Sequence, residues 1–353
     1  MISTIRLQNF RSYRDESFEF DGGVNIIVGP NASGKTNLLE AILVLARGSS
    51  FRARDTELIK FDCPWARLDG FFGKHSRSLK LEGSDGNVSK SYLLDDKLYK
   101  RLSLDKTVPV VYFEPNHLQL ITRGPDQRRD YMDELLERSV PGFKVLATGY
   151  KRTLAQRNAL LKRGPRQGGQ QLFAWDIRLS ELGEKIAQER QRLVDDINKD
   201  LSKSYSKISK KKTVVRLEYQ SQFTPERYGS KLLHKLEANA SLDYERGFTA
   251  YGPHREDFAL HLNERHAGTS ASRGENRSLM LALKIFELNL IEKARGQKPI
   301  FLLDDVFSEL DGSRRHALVD YLKKHQTIIT TTDADSVIEH FTEGHNLIPL
   351  QNN

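Results

Sequence analysis

The first part of the chain alternates short apolar runs with polar turns, a pattern that is typical of β-strands. It predicts strands at residues 2–7, 18–20 and 24–28. Residues 37–46 are apolar on nearly every side, which predicts a helix that is buried against a sheet. The third strand, the stretch after it and this helix therefore form a strand, loop and helix unit.

Further along, the apolar runs become shorter and turn residues separate them, so we expect a mostly antiparallel accessory sheet at residues 66–113. The pattern changes again at residue 130. Residues 131–162 and 172–207 are predicted to be two helices, joined by a loop at residues 163–171. These helices are too short to form a long coiled-coil arm, so we predict a helical hairpin of modest length.

The last third of the chain alternates apolar strands with helices, which is typical of a parallel sheet that is covered on both faces. The predicted elements are strands at residues 213–217, 258–262, 299–305 and 327–332, with helices at residues 275–294 and 313–325. The fold class is therefore α/β. A chain of 353 residues should contain about two domains, one of which can interrupt the other. We predict a discontinuous head of residues 1–130 and 213–353, and a helical lobe of residues 131–212.

The composition is that of an ordinary folded protein, with 38% hydrophobic and 29% charged residues. The chain begins without a basic segment that leads into an apolar run, and it contains no stretch of about 18 apolar residues. We therefore expect no signal peptide, no membrane span and a cytoplasmic location. The single cysteine, Cys63, is not expected to take part in catalysis or metal binding, because no histidine or aspartate cluster surrounds it.

The net charge of +8 suggests an acidic partner such as nucleic acid. Residues 131–212 hold 18 Lys and Arg against 10 Asp and Glu, an excess of eight that equals the net charge of the whole chain. No ladder of aromatic residues is interleaved with these basic residues, which favours contacts with the phosphates of duplex DNA over stacking on single strands. The alternative is a solvated helix face. The residues that we predict to contact DNA are Lys151, Arg152, Arg157, Lys162, Arg163, Lys207, Lys210, Lys211 and Lys212, with Arg166 and Lys203 in the same groups.

Residues 29–36 read G-P-N-A-S-G-K-T and match the phosphate-binding loop pattern G-x-x-x-x-G-K-[ST]. In this pattern, glycines let backbone N–H groups curve around phosphate oxygens, Lys35 reaches the terminal phosphates, and the Thr36 hydroxyl binds Mg²⁺. An apolar strand precedes the loop and an apolar helix follows it, which is the context that the pattern needs. We therefore predict ATP and Mg²⁺ as cofactors. The predicted nucleotide contacts are Gly29, Pro30, Asn31, Ala32, Ser33, Gly34, Lys35 and Thr36.

A second part of the predicted site lies at the end of an apolar strand, where Asp304 and Asp305 follow the sequence I-F-L-L. ATPases of the phosphate-loop class hold magnesium with a carboxylate at such a position. Asp304 is therefore predicted to hold Mg²⁺ together with Thr36, and Asp305 to orient or deprotonate the attacking water. With Lys35, these two aspartates form the predicted catalytic set.

Residues 271–277 read A-S-R-G-E-N-R and open a predicted helix. Ser272 and Gly274 place a hydroxyl and backbone N–H groups at a helix N-terminus, where the helix dipole favours an anion. Ser272 and Glu275 are also spaced as a capping box, which is the alternative interpretation. The segment S-E-L-D follows at residues 308–311.

The order of these parts resembles that of ABC-type ATPases: phosphate loop, serine–glycine signature, acidic strand end and S-E-L-D turn. In that class, the signature of one subunit completes the ATP site of a second subunit, and the S-E-L-D turn meets the opposite subunit. The resemblance therefore implies an ATP-dependent homodimer. It also implies that Ser272 and Gly274 bind ATP in trans and that Asp311 lies at the interface.

Four separated segments make the resemblance specific to the RecF recombination-mediator proteins, which are compact relatives of the SMC heads. They are L-Q-N-F-R at residues 7–11, R-G-P-D-Q-R-R-D-Y-M-D at 123–133, Y-G-P-H-R at 251–255 and L-L-D-D-V-F-S-E-L-D at 302–311. The resemblance covers nearly the whole chain. It implies an ABC-type P-loop ATPase head with an antiparallel β subdomain, interrupted by a helical lobe.

The same resemblance implies a function in recombinational DNA repair at gapped DNA or at junctions of single and double strands. There, RecO and RecR are the implied partners in replacing single-strand-binding protein with recombinase. A cytoplasmic, nucleoid-associated location is implied as well. In related SMC-type heads an arginine at the position of Arg11 contacts a nucleotide phosphate, so Arg11 is expected to do so, and a solvated turn residue is the alternative. His254 and Arg255 indicate either a phosphate or interface contact, or a capped turn.

Three positions depart from the ABC-type pattern. Glu275 stands where the signature usually carries glutamine, Asp305 is one methylene shorter than the usual glutamate, and Asp333 follows the last apolar strand where many of these proteins place a histidine. These departures indicate slow hydrolysis that acts as a timer. Together with the resemblance, they lead us to expect a weak, DNA-stimulated ATPase. The alternative is a nucleotide-gated DNA clamp without meaningful turnover. A small-molecule kinase is disfavoured, because a monomeric kinase does not use parts that act across subunits.

Overall fold

The computed structural model describes residues 1–84, 86–333, 335–339 and 344–351, without the side chains of residues 166–170 and 336. The chain forms two compact units. The first unit comprises Met1–Leu118, Lys207–Ser209 and Lys284–Asn353, and the second comprises Gln119–Ser206 and Lys210–Leu283.

Strands and helices have the following bounds along the chain. The strands are β1 (Ile2–Phe10), β2 (Tyr13–Glu19), β3 (Val24–Val28), β4 (Trp65–Phe72), β5 (His75–Ser84), β6 (Asn87–Leu94), β7 (Lys97–Tyr99), β8 (Val110–Phe113), β9 (Val215–Gln220), β10 (Asp257–Leu262), β11 (Arg265–His266), β12 (Ile300–Asp304), β13 (Thr327–Thr331) and β14 (His345–Pro349). The helices are α1 (Lys35–Arg47), α2 (Pro125–Ser139), α3 (Phe143–Arg163), α4 (Pro165–Ser209), α5 (Tyr228–Ala238), α6 (Ala240–Arg246), α7 (Ala267–Ser270), α8 (Arg273–Arg295), α9 (Gly312–Leu322) and α10 (Asp335–Ile338).

An antiparallel sheet in the first unit has the strand order β2-β1-β4-β5-β6-β7. Alternate residues of β4 are buried, because one face of the sheet covers the core. The predicted antiparallel accessory sheet is confirmed. It is larger than predicted, since β1 and β2 also belong to it. Strand β2 is longer than predicted as well, because it begins at Tyr13 and the sequence indicated a strand only at residues 18–20. Charged residues near the start of β2 mask the strand pattern in the sequence. One of them, Asp15, forms an ion pair of 2.7 Å with Arg6 of β1.

A parallel sheet in the same unit has the strand order β14-β3-β13-β12-β8. Every residue of β8, β12 and β13 is buried, as expected for strands that are covered on both faces. The sequence places β8 in the accessory sheet, but β8 pairs in parallel with β12 instead. Its run V-V-Y-F lacks the alternation of a half-buried strand, which explains the difference.

Helix α1 contacts strands of both sheets in the first unit. Its apolar residues are buried around the whole helix, and they include Leu38, Leu39, Ile42 and Leu45. Each such side chain contributes about 1.5–3 kcal/mol when it is removed from water. This packing fixes the N-terminal end of α1, where the predicted phosphate loop enters the helix.

The second unit contains most of the helices and an antiparallel sheet in the order β11-β10-β9. The helix predicted at residues 131–162 is two helices, because α2 ends at Ser139 and α3 begins at Phe143. Pro141 and Gly142 lie between them, and the φ of Gly142 is +85°, outside the helical range. The sequence interpretation has no counterpart of α5 and α6.

The loop predicted at residues 163–171 is almost entirely helical. Helix α4 begins at Pro165, so Gly164 alone separates it from α3. The φ of Gly164 is +83°, which ends α3, and proline is favoured at the first position of the next helix. None of the helices that the structure describes is both long enough and apolar enough to cross a membrane.

The second unit has wider bounds than the predicted lobe of residues 131–212. Strand β9 pairs with β10, and two hydrogen bonds of 2.8 Å join the Asn198 side chain of α4 to the backbone of Leu217. The Ser202 hydroxyl makes two more bonds, each 2.9 Å, with the backbone of Val215. These bonds attach the small sheet to α4, so the same compact unit contains both.

Candidate nucleotide-binding site

The predicted phosphate loop links β3 to α1 through residues 29–34. Gly34 has φ +95°, a conformation that favours glycine, and a Cβ atom there would lie 2.9 Å from the Tyr13 hydroxyl. A Cβ atom on Gly29 would lie 2.6 Å from Ser33 Oγ. The loop therefore needs glycine at both positions, for its backbone angle in one case and for close approach in the other.

The loop carries donors that suit a polyphosphate. The Ser33 hydroxyl oxygen is buried, and no hydrogen-bond partner for it exists among the described residues. Lys35 folds back over the loop and donates to the carbonyl oxygens of Gly29 and Pro30 at 2.6 and 2.8 Å. Burial lowers the pKa of Lys35, although Asp305 and Asp304 act in the opposite direction. A buried ammonium group and the N-terminus of α1 together favour an anion in this loop.

Asp304 ends β12 beside the start of α1. Its carboxylate accepts hydrogen bonds from Thr36 Oγ1 at 2.8 Å, from Thr330 Oγ1 at 2.7 Å and from the Tyr112 hydroxyl at 3.1 Å. The Thr36 and Asp304 oxygens therefore meet although 268 residues separate them in the chain. Hard divalent cations such as Mg²⁺ prefer oxygen ligands of this kind, so the residues present fit the predicted ion.

Asp305 adopts a left-handed backbone conformation with φ +51°, which is uncommon for residues other than glycine. Its backbone N–H donates to the carbonyl and hydroxyl oxygens of Thr330 at 3.2 and 3.0 Å, and these bonds hold the turn. Burial raises the pKa of Asp305, while a bond from Ser308 opposes that shift. A carboxylate with a raised pKa accepts a proton more readily, as a general base must.

Glu114 is a residue of this region that the sequence interpretation missed. It follows β8, which is the neighbour of β12, and its Oε2 lies 3.2 Å from the Tyr112 hydroxyl that also contacts Asp304. Burial raises its pKa, and the bond from Tyr112 opposes that shift. A sequence signal existed, since Glu114 follows a buried parallel strand as Asp304 does, and such strand ends meet at one edge of a sheet.

The structure places Arg11 in an ion-pair cluster around the buried carboxylate of Glu40. Its guanidinium binds both carboxylate oxygens of Glu40, at 2.8 and 2.9 Å, and Arg52 and Ser50 contact the same carboxylate at 3.0 and 2.5 Å. Burial alone would raise the pKa of Glu40, but the bonds from Arg11, Arg52 and Ser50 hold it below its ordinary value. The phosphate contact of Arg11 stays a prediction.

Ser272 and Glu275 form the capping box that is the alternative interpretation of the signature. The backbone N–H and the hydroxyl of Ser272 both donate to Glu275 Oε2 at 2.8 Å, and the Glu275 N–H donates back to Ser272 Oγ at 3.3 Å. Gly274 lies in the same first turn of α8. Asp311 caps α9 by accepting the backbone N–H of Arg314 at 3.0 Å. The roles of Ser272, Gly274 and Asp311 in trans stay predictions.

One predicted DNA contact is wrong, because Arg157 is completely buried. Its guanidinium binds Asp176, and it also binds Asp243 at 2.7 Å and Thr249 at 2.9 Å. The spacing from Tyr150 already placed Arg157 on the buried face of α3. The exposed members of the predicted set are Lys151, Arg152, Lys162, Arg163, Lys203, Lys207, Lys210, Lys211 and Lys212, whereas the Arg166 side chain lies outside the described residues.

His254 lies in a short turn and is held on both sides of its ring. Its Nδ1 lies 2.7 Å from the Tyr150 hydroxyl and its Nε2 lies 3.1 Å from the carbonyl oxygen of Thr249. Burial lowers the pKa of His254 to about 4. This arrangement agrees with the capped-turn interpretation.

An open groove of about 720 Å³ runs along the first unit from the start of α1. The sequence interpretation did not contain it, because its walls come from four separate stretches of the chain. Phe61 lines it and is 88% exposed. Other lining residues are Arg11, Ser12, Asn37, Lys60 and Asn87.

Comparisons with known proteins agree with the four matched segments. The family model described as RecF/RecN/SMC N terminal domain matches residues 1–348. A protein of an Exiguobacterium species named DNA replication and repair protein RecF is 35% identical over 347 residues, which cover 95% of this chain and 93% of that protein. A protein of the same name from Streptococcus pyogenes serotype M4 is 35% identical over 360 residues, which cover 97% of both chains.

Solved structures give the same result for the fold. The structure described as the recombination mediator protein RecF-ATPrS in the RecFOR pathway has a TM-score of 0.86 and 31% identity, over 96% of this chain and 94% of that one. An Smc head domain of Pyrococcus furiosus has a TM-score of 0.52 and 16% identity, over 96% and 91% of the two chains, and shows the fold alone. The predicted ABC-type ATPase head fold is confirmed. The chain therefore belongs to the RecF family, within the wider group of RecF, RecN and SMC proteins.

Proposed function

We propose that the protein binds and hydrolyses ATP, dimerises on ATP, and acts with DNA as a mediator of recombinational repair. The observation that carries the proposal is the meeting of the phosphate loop with the carboxylate of Asp304, whose oxygen lies 2.8 Å from Thr36 Oγ1. Lys35 directly precedes Thr36, and a phosphate loop that meets an acidic strand end is the arrangement that binds a nucleotide and its metal ion in phosphate-loop ATPases. The similar structures named RecF-ATP and RecF-ATPrS support the choice of ATP.

Residues of the first unit would perform the chemical step. Lys35 would exchange its bonds with loop carbonyls for bonds to the terminal phosphates, and the Ser33 hydroxyl would gain a phosphate partner. Thr36 and Asp304 would hold Mg²⁺, which neutralises charge on the β- and γ-phosphates when bound. Asp305 would take a proton from a water molecule while the oxygen of that water bonds to the γ-phosphorus. The bond between the γ-phosphorus and the β,γ-bridging oxygen would break, which leaves ADP and phosphate.

The groove beside α1 is where we place the nucleoside part of ATP. It includes Asn37, which directly follows Thr36, and it offers an exposed aromatic ring at Phe61 with amide and hydroxyl groups nearby. Nucleotide bases stack readily on such rings. Replacing Phe61 with alanine should weaken ATP and ADP binding equally, since the ring would contact the part that both share.

Dimerisation follows from the order of the motifs, as in ABC-type ATPases. Ser272 and Gly274 of one copy would bind the γ-phosphate that Lys35 of the other copy holds, with Asp311 at the interface. The exposed position of Ser272 at the start of α8 supports this role. The test is size-exclusion chromatography of Asp305→Asn with and without ATP. A monomer under both conditions would contradict the dimer.

DNA binding is proposed for the exposed basic residues of α3 and α4, including Lys151, Arg152, Lys162 and Arg163. Contacts with phosphates release counterions, so each one should add about −0.9 to the slope of log affinity against log salt. We propose duplex or gapped DNA and single- to double-strand junctions as substrates, with RecO and RecR as partners, in the cytoplasm at the nucleoid. Affinity that stays constant between 50 and 200 mM salt would exclude phosphate contacts.

A nucleotide-gated clamp without meaningful turnover is the second candidate. The short Asp305 side chain favours it, because one missing methylene moves the carboxylate away from where a glutamate would reach. Phosphate release with and without duplex DNA distinguishes the candidates, with Lys35→Ala as the reference. Release above that reference supports a slow, DNA-stimulated ATPase, and release equal to it supports the clamp.

A further inference from the structure

The signature at the start of α8 is occupied by a carboxylate of its own chain. We infer that Glu275 competes with the γ-phosphate of the partner copy for the donors of Ser272, and so sets how tightly two ATP-bound copies associate. This inference rests on the proposed function, because it concerns the same signature and the same dimer. It makes Glu275 a regulatory residue of the interface.

The geometry gives Glu275 the place that a phosphate oxygen would need. A single carboxylate oxygen, Oε2, accepts both the N–H and the hydroxyl of Ser272, each at 2.8 Å. The Glu275 N–H points back to Ser272 Oγ at 3.3 Å. A phosphate oxygen that binds Ser272 must displace this carboxylate or approach it closely, since an N–H group has one proton to donate and a hydroxyl group has one proton to donate.

The helix cap needs the oxygen of residue 275 but does not need its negative charge. A glutamine at residue 275 would also present an oxygen to both donors of Ser272, and capping boxes use either residue. The negative charge is therefore not needed for the cap. It has a consequence when another anion approaches, because like charges that meet at an interface oppose association.

The decisive experiment measures dimerisation of the full chain with a slowly hydrolysed ATP analogue, by analytical ultracentrifugation. Glu275→Gln keeps the cap and removes the charge, so its dimer dissociation constant should fall about tenfold or more, and its melting temperature should fall only slightly because the dipole of α8 favours the charge. Glu245→Gln is the matched control. It removes the same charge from an exposed position on α6 of the same unit, and its dissociation constant should equal that of the wild type.

A second variant separates the charge from the cap. Glu275→Ala removes both, so it should lower the melting temperature and still dimerise more tightly than the wild type. If both variants keep their fold but dimerise only as tightly as the wild type, or more weakly, then Glu275 does not limit association. That result would contradict this inference and leave the proposed dimer standing. No dimer of the wild type or any variant with the ATP analogue would contradict the proposed dimer itself.

Discussion

The phosphate loop and the signature differ in how far along the chain their bonds reach. Thr36 of the loop is bonded to Asp304, 268 residues away, and Tyr112 reaches the same carboxylate across 192 residues. The signature residue Ser272 is bonded to Glu275, only three residues away. The loop region is thus assembled by the fold of one chain, whereas the signature is a local structure on the surface.

In the proposed dimer, this difference means that one chain prepares the loop part of the catalytic site and leaves the signature to the partner copy. Long-range bonds hold Asp304 among hydroxyl groups, so the metal-binding part needs little rearrangement when its ligand arrives. Within the part of the chain that the structure describes, no hydrogen bond joins the Ser272 side chain to a residue far away in sequence, and the donors of Ser272 are taken by Glu275. We therefore expect variants in the loop region to change chemistry and variants in the signature to change association.

The largest effect is expected from Arg157 of the second unit, which is buried although the basic residues Lys151, Arg152 and Lys162 of the same helix are exposed. Arg157→Ala should lower the free energy of unfolding by about 3–5 kcal/mol, because it leaves the buried carboxylates of Asp176 and Asp243 without their cation. Urea denaturation measures this loss.

The matched control for that variant is Arg152→Ala, at an exposed position of the same helix. Its stability should change by less than about 0.5 kcal/mol, and its DNA affinity should depend less steeply on salt, by about 0.9 in the log-log slope. If both variants lost the same free energy of unfolding, the buried ion pairs of Arg157 would not stabilise the fold more than an exposed arginine does.

Asp304→Asn should have the next largest effect. It removes a metal-side carboxylate but keeps an amide that the Thr36 and Thr330 hydroxyls can still bond, so the fold should persist. Turnover should fall about 100-fold or more, and added Mg²⁺ should no longer strengthen binding of a fluorescent ATP analogue. Asp320→Asn, at an exposed position of α9, serves as the control. Retained magnesium dependence would assign the metal to other ligands.

A mixing experiment tests whether the signature acts across subunits. Lys35→Ala and Ser272→Ala should each abolish turnover alone, but a mixed dimer would unite an intact Lys35 with an intact Ser272 in one of its two sites. An equal mixture should recover about a quarter of wild-type turnover, since half of the dimers are mixed and each has one working site. Phosphate release measures the recovery. If the mixture recovers no turnover, the two sites of the dimer do not each combine Lys35 of one copy with Ser272 of the other and work independently.

Contiguous segments made much of the loop region predictable from sequence. The spacing of Gly29, Gly34 and Lys35 identifies a phosphate loop. The position of Asp304 at the end of an apolar strand predicts its role beside the metal ion. The same reasoning does not identify Glu114, because its nearness to Asp304 through Tyr112 depends on β8 being the neighbour of β12, and the sequence interpretation assigns β8 to the wrong sheet.

Side-chain direction limited the prediction in the second unit. Charge counting treated Arg157 like its exposed neighbours, although its spacing from Tyr150 on α3 already indicated the buried face. The orientation of the Glu275 carboxylate toward Ser272 was one of two open interpretations, and only coordinates could decide between them. Composition shows how much charge a segment carries, whereas burial decides which of those charges a partner can reach.

The smallest predicted effect is a pH dependence that belongs to the second unit. Burial holds the pKa of His254 at about 4, below its value of 6.5 in an unfolded chain. The unfolded state therefore binds a proton before the folded state does, and the stability that His254 contributes above pH 6.5 is lost as the pH falls toward 4. At pH 5.5 the loss should be about 1.4 kcal/mol.

His254→Gln provides the comparison, because glutamine can accept from the Tyr150 hydroxyl and donate to the Thr249 carbonyl without titrating. Urea denaturation at pH 7.5 and pH 5.5 should show that the variant lacks about 1.4 kcal/mol of the acid-induced loss seen in the wild type. Hydrogen exchange should locate that difference in the turn around residues 249–256. Equal losses in both proteins would mean that the His254 ring takes up its proton without disturbing the turn.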